Sequence, residues 1–350
     1  MPLLNPTPLR VSTMTVTGHL GVTPDLQRLY THCTFIPYWW PGEGVIKIEY
    51  GSDRRGICSE DILHTTGKAK SRFFNQSSLV FRLRLADGNT QETSGQPAVN
   101  LSAVKNACFK EVADQSATNL SDRSAAAIFK ETNIKLFKNG GFQMTGVNSE
   151  AMARAALQRM IDINWADGTT GIWAEKPRIT KFDICMMNSD YNVGAAIRRD
   201  RLYKILVEEY GLWSTFEPTI YQGVNTKFFW NSARPANAPP GICSCPQQCE
   251  GDGDGHGTGR CKKITISPFR TGSVIITGAK EMRQLDDAYR FFNELLAAHE
   301  GDVLRAEAPV AETPARAKRA ATLTNAMEIL RFKKQSSPRS VIRIPAVAAA

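Results

Sequence analysis

Four of the chain's eight cysteines fall in one short segment, CSCPQQCEGDGDGHGTGRC, residues 243–261. Cys243, Cys245, Cys249 and Cys261 lie close together in a stretch with almost no apolar residues, so the segment could fold around zinc held by thiolates. His256 is an alternate ligand to one of the four. The spacing C-x-C-x3-C-x11-C is not that of a paired knuckle, and a flexible loop with free thiols remains the competing reading. Asp252 and Asp254 suggest a calcium loop, but the bidentate glutamate such a loop needs is missing. Cys33, Cys58, Cys108 and Cys185 are scattered, which in a chain of this length indicates reduced thiols rather than a disulfide framework. No Ser-His-Asp or Cys-His set is placed on shared structure and no phosphate loop is present, so no catalysis is expected. The five histidines, His19, His32, His64, His256 and His299, are dispersed.

A second feature is a segment written twice. NIKLFKNGGFQMTGV (133–147) returns 132 positions later as TISPFRTGSVIITGA (265–279). Each copy reads as strand, Gly turn, strand, Thr-Gly and then an amphipathic helix, which implies two similar half-domains. Alternation puts Ile134, Leu136, Phe142 and Met144 on one face of the first hairpin, and Lys135, Phe137, Gln143 and Thr145 on the other. In the second copy Ile266, Pro268, Val274 and Ile276 oppose Ser267, Phe269, Ser273, Ile275 and Thr277. A helix layer covers one face only. The other presents one large Phe among small polar groups in each half, a surface suited to nucleobases, a second protein or a ligand.

The elements around these hairpins repeat in the same order. Strands are expected at Leu9–Thr17, Gly44–Tyr50 and Phe73–Leu85, with helices near Pro24–His32 and Ser149–Ile163. The second half restarts at Arg178 with a strand, a helix at Arg198–Tyr210, two short strands within Phe216–Trp230 and a helix from Lys280 to His299 that Gly301 ends. The fold class is α+β, with antiparallel sheet and helices on one side. The boundaries read 1–165 for the first repeat, with insertions at 52–72 and 86–132, and 166–300 for the second, with the Cys-rich insertion at 231–261. Residues 301–350 form a basic Ala/Pro-rich tail, expected to be disordered.

Net charge is +9, but the segment from Thr313 onward carries eight Lys/Arg against one acid, which leaves about two net positive charges on the rest. The tail is either a solubilising arm or a phosphate clamp or import signal. No apolar run approaches a membrane span, and no membrane partner is expected.

The motif F-x-x-G-x-x-x-x-TG followed by a helix, present twice in one chain, resembles the TATA-box-binding protein family. KFDICMMNSDYNVGAAIRRDRL, STFEPTIYQG and PLRVSTMTVTG extend the likeness to about 170 residues. The long insertions and basic tail resemble the divergent versions carried by large DNA viruses. The resemblance implies two pseudo-symmetric half-domains forming a saddle, with helices on the convex side and the concave sheet on the minor groove of double-stranded promoter DNA. Wedging aromatics would be Tyr221 and Phe269 in one half, and Phe137 with Phe73 or Phe74 in the other. Thr145 and Thr277 match base-edge threonines. Val11, beside Thr13, and Met186 stand where the family has central asparagines, and Asn188 shares a strand face with Met186. Gln143 replaces a valine, while Ile275 stands at its counterpart position. Arg82 and Lys227 are candidate phosphate contacts.

The same resemblance gives Glu217 and Pro218 to a transcription factor IIB-like partner, with RNA polymerase recruited indirectly. It places the chain in the nucleus or in a viral replication and transcription compartment of the host cytoplasm, or packaged in the virion. Two other readings stay open: a single-strand or RNA binder that stacks bases on the Phe/Tyr face, and a non-enzymatic protein-interaction module.

Overall fold

Aliphatic residues alternate in each repeated hairpin and give it one face to bury. In the computed structural model, which describes residues 3–40, 42–63, 73–85 and 129–306, these faces meet in one core. The first half runs β1 (Arg10–His19), α1 (Leu26–His32), β2 (Gly44–Gly51), β3 (Asp53–Gly56), α2 (Ser59–Leu63), β4 (Phe73–Arg84), β5 (Phe129–Phe137), β6 (Gly141–Val147) and α3 (Glu150–Trp165). The second runs β7 (Lys181–Asn192), β8 (Ala196–Ile197), α4 (Arg199–Lys204) continued by a π turn over Ile205–Glu209, β9 (Ser214–Thr215), β10 (Asn225–Trp230), β11 (Lys262–Pro268), β12 (Ser273–Ala279) and α5 (Met282–Ala298). A short α6 (Glu300–Val303) and β13 (Leu304–Arg305) follow.

Eleven strands make one antiparallel sheet in the order β3-β2-β4-β5-β6-β1-β7-β12-β11-β10-β9, and β13 pairs separately with β8. The halves join at β1 and β7, so the architecture is the saddle-like α+β arrangement of two pseudo-symmetric units. The duplication extends to backbone detail. Leu20 N–H donates to Gly140 O at 2.9 Å, and Val193 N–H donates to Gly272 O at 3.0 Å. Gly140 and Gly272 hold φ of +84° and +81°, and a Cβ at either would lie 2.3 and 2.2 Å from the carbonyl oxygens of Val22 and Ala195. Only glycine fits both the left-handed backbone and that approach.

Ile134, Leu136, Phe142, Met144, Ile266, Val274 and Ile276 are all buried on the helix side, under Leu157, Met160 and Ile161 of α3 and Leu285, Phe292 and Leu296 of α5. Each such side chain contributes roughly 1.5–3 kcal/mol on burial. Ser149 Oγ caps α3 by accepting from Met152 N–H at 3.2 Å.

Several elements differ from the sequence reading. β5 starts at Phe129, so 129–132 are strand rather than insertion. Gly301 lies inside α6 rather than ending the long helix. α2 sits on the other side of the sheet from α3 and α5: Ile62 packs with Tyr38, Ile46, Cys58 and Val80, a second cluster under the face that alternation left open. Residues 301–306, read as the start of a disordered tail, are instead ordered in α6 and in β13, which pairs with β8. The rest of the tail from 307 and most of 86–132 lie outside the described residues.

Candidate nucleic-acid interface

Cross-strand pairs define which side chains share the open face. Lys135 stands opposite Gln143, and Asn133 opposite Thr145. In the second half Ser267 stands opposite Ile275, and Thr265 opposite Thr277. Phe137 and Phe269 are half-buried at the matched ends of β5 and just beyond β11. Tyr221, 40% exposed, meets Phe269 edge-on with ring centroids 5.6 Å apart.

Strand pairing resolves the looser first-half partner. Leu79 faces Ile134 and Thr226 faces Ile266, two residues at matching points of the repeat. Counting back five from each gives Phe74 and Tyr221, so Phe74 holds the Tyr221 position. The halves nevertheless differ there. Phe74 is 62% exposed and sits edge-on to Tyr50 of β2, at 6.0 Å. Tyr50 belongs to β2, an eight-residue strand whose counterpart β9 has only two residues, and the sequence offered no sign that it would reach this ring.

At the centre, Thr13 stands opposite Asn188 and Thr15 opposite Met186; Asn188 is flanked on its other side by Thr277. Thr13 Oγ1 also accepts from Gly146 N–H at 3.3 Å. Val11 does not belong to this set. It stands opposite Ser189, which is fully buried and opposite Ile276, so Val11 packs on the helix side. The cause is an irregularity at Ser12, where β1 carries one more residue than β7 and the alternation shifts by one. Arg10 and Asp190 pair at 2.7 Å beside this centre.

The expectation that Arg82 contacts phosphate is not met. Arg82 is 6% exposed, donates to Tyr38 O at 2.8 Å and Trp40 O at 3.1 Å, pairs with Glu131 at 3.7 Å and lies over the Tyr38 ring. Lys227 remains on the open side, half-buried, with Nζ donating to Thr265 Oγ1 at 2.9 Å. Burial, aided by nearby Lys263, pushes its pKa down. Glu217 and Pro218 are exposed on a turn in which Glu217 O accepts from Ile220 and Tyr221 N–H, with Ile220 itself 86% exposed.

The cysteines converge as a set of four. The sulfurs of Cys243, Cys245, Cys249 and Cys261 all lie within 4.8 Å of one another, with Cys243–Cys249 at 3.2 Å and Cys245–Cys261 at 3.6 Å. A disulfide needs about 2.05 Å. Tetrahedral zinc with bonds of about 2.3 Å needs sulfurs about 3.8 Å apart, close to what is found. Gly259 N–H donates to Cys245 Sγ at 3.1 Å and Asn231 Nδ2 to Cys261 Sγ at 3.5 Å, the outer bonds that orient thiolate ligands. Burial raises the Cys243 thiol, but hydrogen bonds from the Cys249 and Cys245 backbone and from neighbouring thiols outweigh it and bring it to about 7. His256 is not a fourth ligand: its Nε2 meets Glu281 at 2.8 Å and its Nδ1 meets Ser232 Oγ at 3.0 Å.

A sheet built from two copies of one unit, with the main helices on one face and matched aromatics on the other, defines a two-repeat α+β protein with one open sheet face. The resemblance to the TATA-box-binding protein family holds in comparison with known proteins. The chain is 30% identical over 182 residues to a TATA-box-binding protein-like protein of Acanthamoeba polyphaga mimivirus, covering 48% of this chain and 43% of that one. It therefore spans less than half the length of that viral relative. A solved structure, Methanococcus jannaschii TBP, matches with a TM-score of 0.38 and 16% identity over 83% of this chain and 97% of that one. No family model matches. Among the described residues no helix is long and apolar enough to cross a membrane.

Proposed function

We propose that the chain is a non-catalytic transcription initiation factor that binds the minor groove of double-stranded promoter DNA, bends it and nucleates assembly with a transcription factor IIB-like partner, RNA polymerase following indirectly. The observation that carries this reading is the recurrence of Phe137 and Phe269 at equivalent points on the face opposite α3 and α5. Minor-groove edges carry little donor and acceptor information, so apolar wedges with Thr13, Thr15, Thr145, Thr277 and Asn188 suit them. Unstacking a base step costs on the order of a few kcal/mol, a figure drawn from minor-groove binders as a class, TATA-box-binding proteins among them. Wrapped contact offsets it. Lys227 is the candidate phosphate contact, the turn at Glu217 and Pro218 the partner surface, and the four cysteines a structural zinc site. The place of action is the nucleus or a viral transcription compartment. Binding of the full chain to A·T-rich duplexes, with end-to-end distance read by energy transfer, tests the reading. Bound duplex with shortened ends supports it. Preference for single strands or RNA favours base stacking on the same aromatics instead, and absence of nucleic-acid binding overturns both.

A further inference from the structure

The two halves keep their outer aromatics and base-edge threonines but differ between them. Equivalent positions in the hairpins are 132 apart, so Gln143 corresponds to Ile275 and Lys135 to Ser267. For β1 and β7 the offset is 173, as the paired turns of Leu20 and Val193 show. Thr13 then corresponds to Met186, and Thr15 to Asn188. The pairs Thr13–Asn188 and Thr15–Met186 exchange under that relation, which fixes the symmetry axis between them.

On the first half's open face, half-buried Gln143 lies between Lys135 of β5 and Thr17 of β1. Its amide makes no hydrogen bond among the described residues. On the second half, half-buried Ile275 lies between buried Ser267 and Asp190, and Asp190 is tied to Arg10. Met186, 36% exposed, adds a second apolar group to this half near the centre. One half thus offers a free donor and acceptor where the other offers methyl groups.

The minor groove distinguishes base pairs chiefly by the guanine amino group: A·T pairs show acceptors only, and G·C adds one N–H donor on the groove floor. The Gln143 carboxamide oxygen can accept from that donor, and its amino group can donate to the acceptors of an A·T pair. Ile275 can do neither, and would bury the guanine N–H unpaired.

We propose that the reading face is asymmetric: the half-site under the second repeat is restricted to A·T pairs, whereas the half-site under Gln143 accepts a G·C pair. This rests on the minor-groove reading. It has a particular consequence, because a nearly symmetric protein can reverse on the duplex. A single G·C in either half-site is tolerated, since the chain turns to place it under Gln143. G·C at the mirror positions of both half-sites is not.

The test uses the full chain and three duplexes: an uninterrupted A·T run, the same run with one G·C pair, and the same run with two mirror-placed G·C pairs. The single change should alter affinity no more than about twofold, and the double change should weaken it about tenfold or more, the usual scale for a wrong pair. Ile275→Gln should restore the double-substituted duplex to within about twofold of the A·T run. Gln143→Ile should make the single change as costly as the double. Equal, additive losses per G·C pair, or no gain from Ile275→Gln, overturn the asymmetry. Failure to bind any of the duplexes overturns the minor-groove reading itself, so the two failures are distinguishable.

Discussion

Arg82 and Phe229 occupy the same register position in the two halves, and both are buried where plain alternation would leave them open. Arg82 stands opposite Glu131 and Phe229 opposite Lys263, residues at matching points of the repeat. Arg82 is covered by Tyr38 and Trp40, with Glu131 at its side; Phe229 is covered by the Cys-rich insertion, whose Gly251 leaves only 2.9 Å from a Cβ to the ring. The connection carrying Tyr38 and Trp40 in one half and the Cys-rich insertion in the other therefore wall the outer end of the open face at equivalent places and shorten it.

Because Arg82 is walled in, its replacement should be read in stability and not in DNA electrostatics. Arg82→Met should lower the denaturant-unfolding free energy by about 1–3 kcal/mol, since the Tyr38 and Trp40 carbonyls lose their donor while Glu131 keeps its bonds from Ser59. The slope of log affinity against log salt should stay unchanged, whereas losing a phosphate contact would lower it by about one. A reduced slope would return Arg82 to the DNA interface.

Phe137→Ala and Phe269→Ala should each leave the fold intact, because both rings are only half-buried, and should reduce duplex bending. The double variant should bind with no shortening of end-to-end distance measured by energy transfer. Unchanged bending would remove the wedge role.

The hairpin faces were legible in the sequence because alternation of period two needs only local information, and Phe137, Gln143, Thr145, Phe269, Ile275 and Thr277 lie where it places them. What was not legible depends on distant chain. The extra residue at Ser12 is visible only against β7, and it moves Val11 into the core. Arg82 and Phe229 were hidden by segments whose packing no local pattern encodes. The cysteine spacing showed that the four thiols could cluster, but the absence of His256 from the cluster depended on Glu281 and Ser232 reaching its ring first.

The first insertion should loosen in acid. Burial raises the Asp61 carboxyl, but hydrogen bonds from Lys47 Nζ at 2.9 Å and Cys58 N–H at 3.0 Å outweigh it and hold it at about 2, against an ordinary 3.8. A carboxylate depressed in the folded state adds stability above its unfolded pKa and loses it as pH falls through the folded one. The gap between wild type and Asp61→Asn in urea midpoint should therefore be full above about pH 4 and close toward pH 2. A gap that does not change with pH would mean that Asp61 acts through packing alone.

The cysteine cluster should hold one zinc per chain, measured by elemental analysis of the purified protein. Cys245→Ser should abolish binding, since Cys245 contributes a sulfur to the group of four and accepts from Gly259 N–H. His256→Ala should retain the metal. Structural zinc contributes folding free energy, on the order of 10 kcal/mol in small zinc-organised peptides, so its removal should unfold the segment around it. Because that segment covers Phe229, chelation should speed proteolysis at 241–261 while the sheet, whose core lies on the opposite face, stays folded by circular dichroism. Zinc loss from His256→Ala with full retention by Cys245→Ser would reverse the ligand assignment.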